Sequence, residues 1–203
     1  YNVSDDPDPF SPNGDGNRDV VTVHAKVTAE SDVTVTWKDS SNAVVRVFTG
    51  HTLEPIEVPW NGWDSNGVVV ADGTYSYEIR AVNSANGQVA PVVGGTVDVD
   101  TVLDELVLTA PGSNAVLSGS VQIKGLANDR HGWSEPVYVY YERVRYPGQW
   151  NSLWGSWSQY WRDAFGQVPT LCTWDTTVLP NDDYVLRLQA RDITAGFKCW
   201  RRA

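Results

Sequence analysis

The 203-residue chain contains no methionine, two cysteines and three histidines, and none of its apolar runs approaches twenty residues. A helix crossing a bilayer needs about 20 consecutive apolar residues, so no membrane insertion is expected. The start shows no basic-then-apolar secretion signal; a chain that opens on Tyr1 without a methionine reads as part of a longer or processed polypeptide. Basic residues are also scarce, 15 Lys and Arg against 25 Asp and Glu, for a formal charge of -10. Only Arg201 and Arg202 cluster. Phosphate backbones and anionic lipid surfaces would be repelled, so nucleic acid is excluded as a partner.

Chemistry-bearing motifs are equally thin. His24, His51 and His131 are scattered without ligand spacing, and two cysteines cannot complete a tetrahedral zinc site. There is no Ser-His-Asp arrangement, no HExxH and no phosphate-cradling glycine loop. The acid pairs Asp5-Asp6 and Asp182-Asp183 lie among turn-formers, where solvated carboxylates are ordinary. No enzymatic activity is expected.

What is present is aromatic and β-branched. Ten Trp and nine Tyr accompany a hydrophobic content of 41%, enough to build a packed core in each half. Short runs such as Val33-Thr34-Val35-Thr36-Trp37 and Val44-Val45-Arg46-Val47-Phe48 recur between Gly, Asn, Asp, Ser and Pro clusters. That spacing predicts an all-β chain of sandwich type. Only residues 150–165 offer a helical period long enough to compete. The length fits two domains, and the acidic turn Asp98-Val99-Asp100-Thr101 marks the boundary, giving domains at 1–100 and 101–203. Both halves close on a similar phrase. Asp72-Gly73-Thr74-Tyr75-Ser76-Tyr77 and Asp182-Asp183-Tyr184-Val185-Leu186 each run from a turn into a Tyr and then alternate. A Tyr there can tie its hydroxyl back to the preceding turn while its ring packs inward, the tyrosine corner of immunoglobulin-like sandwiches. Trp60 and Trp174, upstream of the two phrases, are candidate core plugs. The expected fold is therefore two tandem immunoglobulin-like β-sandwich domains.

The segments Phe10-Ser11-Pro12-Asn13-Gly14-Asp15-Gly16-Asn17-Arg18-Asp19, Trp60-Asn61-Gly62-Trp63-Asp64-Ser65-Asn66-Gly67 and Val70-Ala71-Asp72-Gly73-Thr74-Tyr75 resemble, in order, the Ig-like domain named after the flagellar hook-capping protein (FlgD-like). The resemblance covers residues 8–99. The second half is similar to bacterial Ig-like repeats through Val121-Gln122-Ile123-Lys124-Gly125-Leu126-Ala127 and Trp174-Asp175-Thr176-Thr177. It departs from them in carrying Asp182-Asp183 in place of Asp-Gly and an aromatic segment before Trp174. The resemblance implies a spacer or adhesion element of a large bacterial surface or secreted protein, with other domains of the same polypeptide as its first partners.

Three local patterns are candidate sites. Asn13, Asp15, Asn17 and Asp19 alternate with Gly14 and Gly16, so that several oxygens can converge on a hard cation, with calcium the implied cofactor. Against the EF-hand pattern, Ser11 stands where the first acid belongs and Thr22 where the bidentate Glu belongs, so an Asx-rich turn is the competing reading. Aromatics crowd residues 133–161, and Tyr146, Trp150, Trp154, Trp157 and Trp161 are the candidate ligand-binding set. Exposed, they would suit a glycan or protein partner; packed, they would close the sandwich edge. Cys172 and Cys199 form either one disulfide between neighbouring strands, which implies an oxidising compartment, or two buried thiols. The leading functional expectation is a non-catalytic structural or interaction module, secreted or at the cell surface. A carbohydrate-binding accessory module is the alternative.

Overall fold

The computed structural model describes residues 3–194 and the backbone of 198–202. Its sequence pattern has the period of two that a half-buried strand requires. In Ser31–Lys38, Val33, Val35 and Trp37 face inward while Asp32, Thr34 and Thr36 face out, and Tyr75, Tyr77, Ile79 and Ala81 do the same in Gly73–Asn83. Such strands are stable only when the apolar face is covered by another sheet.

The chain divides into two compact units, Tyr1–Thr101 and Val102–Ala203. The first holds β1 (Ser4–Asp6), β2 (Val21–Ala25), β3 (Ser31–Lys38), β4 (Val44–Thr52), β5 (Ile56–Trp60), β6 (Gly73–Asn83) and β7 (Val93–Val99). They form sheets of order β1-β2-β5 and β4-β3-β6-β7. The second holds β8 (Glu105–Ala110), β9 (Ser120–Asn128), β10 (Trp133–Arg143), β11 (Asn151–Ser156), β12 (Thr170–Asp175), β13 (Tyr184–Asp192) and β14 (Lys198–Arg202). Its sheets run β12-β9-β8 and β11-β10-β13-β14. Counted within each unit the order is identical: first, second and fifth strands in one sheet, fourth, third, sixth and seventh in the other. No helix occurs among the described residues, and the segment with helical period forms β11 and a following loop. Pairing with β10 overrides the local period: Val137 faces Ser156 and Val139 faces Trp154 in an antiparallel ladder.

The first core centres on aromatic rings. Trp37 stacks on Trp60 at 4.3 Å between centroids, and Phe10 and Tyr75 approach Trp60 at 5.4 Å. Truncating a Trp buried in this way costs about 3–5 kcal/mol. The turn after Trp60 requires glycine: Gly62 has a φ of 71°, and a Cβ there would lie 2.5 Å from Pro12 Cγ. Tyr77 reaches across to β1, its hydroxyl donating to Asp5 Oδ2 at 2.6 Å. Burial, with the Asp5 carboxylate second, pushes this phenol well above its ordinary range. Phe10 forms a parallel bridge with Val99; its N–H donates to Asp98 O at 2.9 Å, and Asp100 N–H donates to Phe10 O at 3.0 Å.

The second core gathers Ile123, Val137, Val139, Leu186 and Leu188 around Trp174. Trp174 meets Tyr141 at 5.3 Å and Tyr184 at 5.7 Å. Both tyrosine corners form: Tyr75 Oη donates to Ala71 O and Tyr184 Oη to Pro180 O, each at 2.9 Å. Glu142 lies on the same side of β10 as the half-buried Tyr138 and Tyr140 but is itself buried, because the following hairpin folds over it and Gly148 N–H donates to its Oε2 at 2.7 Å.

Candidate functional site

The loop before β2 folds around its own amides. Asp19 accepts from Gly14 N–H through Oδ1 and from Gly16 N–H through Oδ2, both at 2.7 Å. Asn13 Oδ1 accepts from Asp15 N–H at 3.0 Å, and Asp15 Oδ1 from Asn17 N–H at 2.8 Å. The glycines permit this path with φ of 80° at Gly14 and 88° at Gly16. Asn13, Asp15 and Asn17 are exposed, and the Asn13 and Asp15 side chains take up Asx-turn geometry. Each carboxylate oxygen keeps a second acceptor direction beyond the amide it already holds.

The aromatic segment separates into three environments. Trp154 packs against the second core and meets Tyr160 edge-on at 5.3 Å; Tyr160 is itself anchored by a bridge to Ala127. Trp150 and Tyr146 lie against arginines. The Arg187 guanidinium lies 4.1 Å from the Trp150 ring and 5.0 Å from Tyr140, and Arg143 lies 5.1 Å from Tyr146. These contacts are cation–π pairs; Arg187 and Tyr140 face each other on the outward side of the β10–β13 ladder, and Arg143 ends β10 opposite Tyr184. Trp157 and Trp161 project from the loop after β11, 63% and 52% exposed. The same loop presents Phe165, 88% exposed, at the tip of a turn in which Asp163 Oδ1 accepts from Phe165 and Gln167 N–H. Phe165 is absent from the sequence-predicted set. Its signal was the Asp-x-x-Gly turn at Asp163 to Gly166, which lifts the residue between into solvent.

Cys172 sits half-buried on β12, and burial raises its thiol to about 11. Cys199 lies on β14, which belongs to the other sheet of the unit, so the two strands are not ladder neighbours as expected from the sequence. The Cys199 side chain, and with it any bridge, lies outside the described residues. The departure at Asp182-Asp183 has a structural use. Asp182 accepts from Arg143 Nε and Arg145 Nη2, each at 2.7 Å. Desolvation opposes ionisation of this carboxyl, but the two arginines outweigh it and hold its pKa below the usual carboxylate value.

Sequence reading missed the buried acids. Asp100 is buried in the first unit and Asp129 and Asp192 in the second. Asp129 follows β9 directly; its Oδ1 accepts from His131 N–H at 2.9 Å and Gly132 N–H at 3.1 Å. Asp192 ends β13, where its Oδ1 accepts from Thr194 N–H and Oγ1, both at 2.8 Å. Carboxylate oxygens of Asp129 and Asp192 lie within 4.8 Å of each other. Asp192 Oδ2 is buried and meets no hydrogen-bond donor among the described residues.

The chain is 28% identical over 154 residues to a C5a peptidase of Streptococcus pyogenes serotype M18 (strain MGAS8232), a match covering 68% of this chain and 13% of that protein. A serotype M3 (strain ATCC BAA-595 / MGAS315) C5a peptidase is 29% identical over the same length, with 12% of it covered. The chain thus spans about an eighth of these relatives. Among solved structures, a two fibronectin type-III domain segment from chicken tenascin aligns over 100% of this chain and 97% of its own, at 10% identity and a TM-score of 0.39. The FN1-FN3 domains of chicken CNTN1 align over 97% of this chain and 62% of their own, at 10% identity and a TM-score of 0.40. A family match falls on residues 11–85, which carry the amide-lined loop, the Trp60 turn with Gly62, and the first tyrosine corner. The family those residues match is the FlgD Ig-like domain.

Proposed function

We propose that this chain is a non-catalytic spacer or adhesion module of a larger secreted or cell-surface bacterial protein, joined to other domains of the same polypeptide. The observation that carries this reading is the short span of the relatives, 13% of a C5a peptidase, combined with an Ig-like domain at residues 11–85. A segment of that proportion, made of two sandwiches with Trp37, Trp60 and Trp174 packed into their cores, suits an accessory role better than a catalytic one. The test is replacement of the segment, within its parent protein, by an unrelated tandem sandwich of equal length. A spacer leaves the parent's activity and surface display intact, an adhesion module loses attachment, and turnover of peptide or glycoside substrates by the purified chain would sink both.

A second reading, glycan binding, has Trp157, Trp161 and Phe165 in its favour, because exposed rings on one loop offer flat stacking faces. Polysaccharide pull-down with wild type, Trp157→Ala and Trp161→Ala separates it from the spacer reading: retention that both variants abolish supports it, and no retention of wild type removes it. Calcium at the Asn13–Asp19 loop would stiffen the first unit. A melting transition unchanged by chelator, or a calcium effect that survives Asp15→Ala, speaks against that loop as its site.

A further inference from the structure

We propose that the second unit binds a divalent cation, calcium by the nature of its donors, at Asp129 and Asp192. This site is separate from the Asn13–Asp19 loop of the first unit. The two acids lie at one pole of the sandwich. Asp129 opens the connection from β9 to β10, and Asp192 closes β13 opposite Trp133, the first residue of β10. They come from different sheets, yet their carboxylate oxygens lie within 4.8 Å. A single ion can be shared at that separation.

Both carboxylates are positioned before any ion arrives. His131 and Gly132 amides hold Asp129 Oδ1, and the Thr194 amide and hydroxyl hold Asp192 Oδ1. Gly132, at a φ of 89°, allows the turn that aims its amide at Asp129. Neutral amide and hydroxyl partners of this kind orient a ligand and add no charge of their own. Asp192 is 1% exposed, and its Oδ2 is an acceptor removed from water with no hydrogen-bond donor among the described residues. A buried anionic oxygen in that state is costly, and a cation satisfies it directly. The donors here are carboxylate oxygens, a hard set that suits calcium over zinc or copper; water and main-chain carbonyls complete such a coordination sphere.

The experiment uses the whole chain, stripped with chelator and titrated with calcium chloride by calorimetry, and in parallel with terbium, whose emission is sensitised by a nearby indole. Trp133 faces Asp192 in the β10–β13 ladder and is the expected antenna. Binding of one ion at this site is expected, weakened at least about tenfold by Asp192→Asn and by Asp129→Asn, and retained in Asp15→Asn and Asp19→Asn. Asparagine keeps the amide-facing acceptor, and circular dichroism of each variant verifies folding. Trp133→Phe should dim terbium emission while leaving the calcium isotherm in place, a readout independent of the acid variants. The proposal is overturned if the stripped chain takes up no calcium at millimolar concentration, or if folded Asp192→Asn binds it as wild type does.

Discussion

Tyr75 and Tyr184 do the same work in the two units, and each makes a clean test of a single hydrogen bond. Replacing either by Phe keeps the ring in the core but leaves Ala71 O or Pro180 O without its hydroxyl donor. Each replacement is expected to cost about 1 kcal/mol, and because the two lie in separate units the costs should add in the double variant. Denaturant titration measures both. These tyrosines were readable from sequence because the turn-Tyr-alternation phrase states its own geometry. His51 is a different case. Its ring lies 2.8 Å from Asp32 and 3.1 Å from Glu30, and these bonds, Asp32 first, raise its pKa above the ordinary 6.5. A raised folded value means that the imidazolium stabilises the fold fully below about pH 6.5 and that the contribution fades as pH climbs through the higher folded value. Calorimetry at low salt should therefore show a small fall in Tm from pH 6 to pH 8 that His51→Gln flattens. An equal slope in the variant would assign the fall to other groups.

β11 and the loop behind it carry most of what the sequence concealed. A tryptophan reads alike in sequence whether it ends under an arginine, in a core or in water; only the β10–β11 register separates Trp154 from its neighbours. The difference has a measurable consequence. Trp154→Ala should destabilise the second unit by about 1–3 kcal/mol through the contact it loses with Tyr160. Trp157→Ala, on the exposed loop, should stay within about 0.5 kcal/mol of wild type. Equal losses from the two would mean that the loop is packed rather than displayed. The buried acids were hidden for a related reason. Asp129 and Asp192 stand far apart in the chain and each looks like an ordinary turn acid, so their proximity exists only once β9 and β13 have been assigned to facing sheets.

At the scale of the whole chain, the repeated strand order is the main fact. Seven strands in the same arrangement, each set with its own aromatic core, predict that the chain is two folding units in series. Fragments covering 1–101 and 102–203 should each give a cooperative melting transition and a β-type circular dichroism spectrum. An unfolded fragment would show that its core needs the other half. Sequence made this duplication legible through the two closing phrases, where an acidic turn runs into Tyr75 and into Tyr184 and alternation follows. The Phe10–Val99 bridge gives the first unit a mechanical character. Its two strands run parallel, so tension applied at opposite ends of the unit draws them past each other along their length. The bonds from Phe10 N–H to Asp98 O and from Asp100 N–H to Phe10 O then bear load side by side, in shear, and must rupture together rather than unzip in turn. In the proposed spacer role the first unit would be stretched in this sense, with Phe10 and Val99 carrying the load.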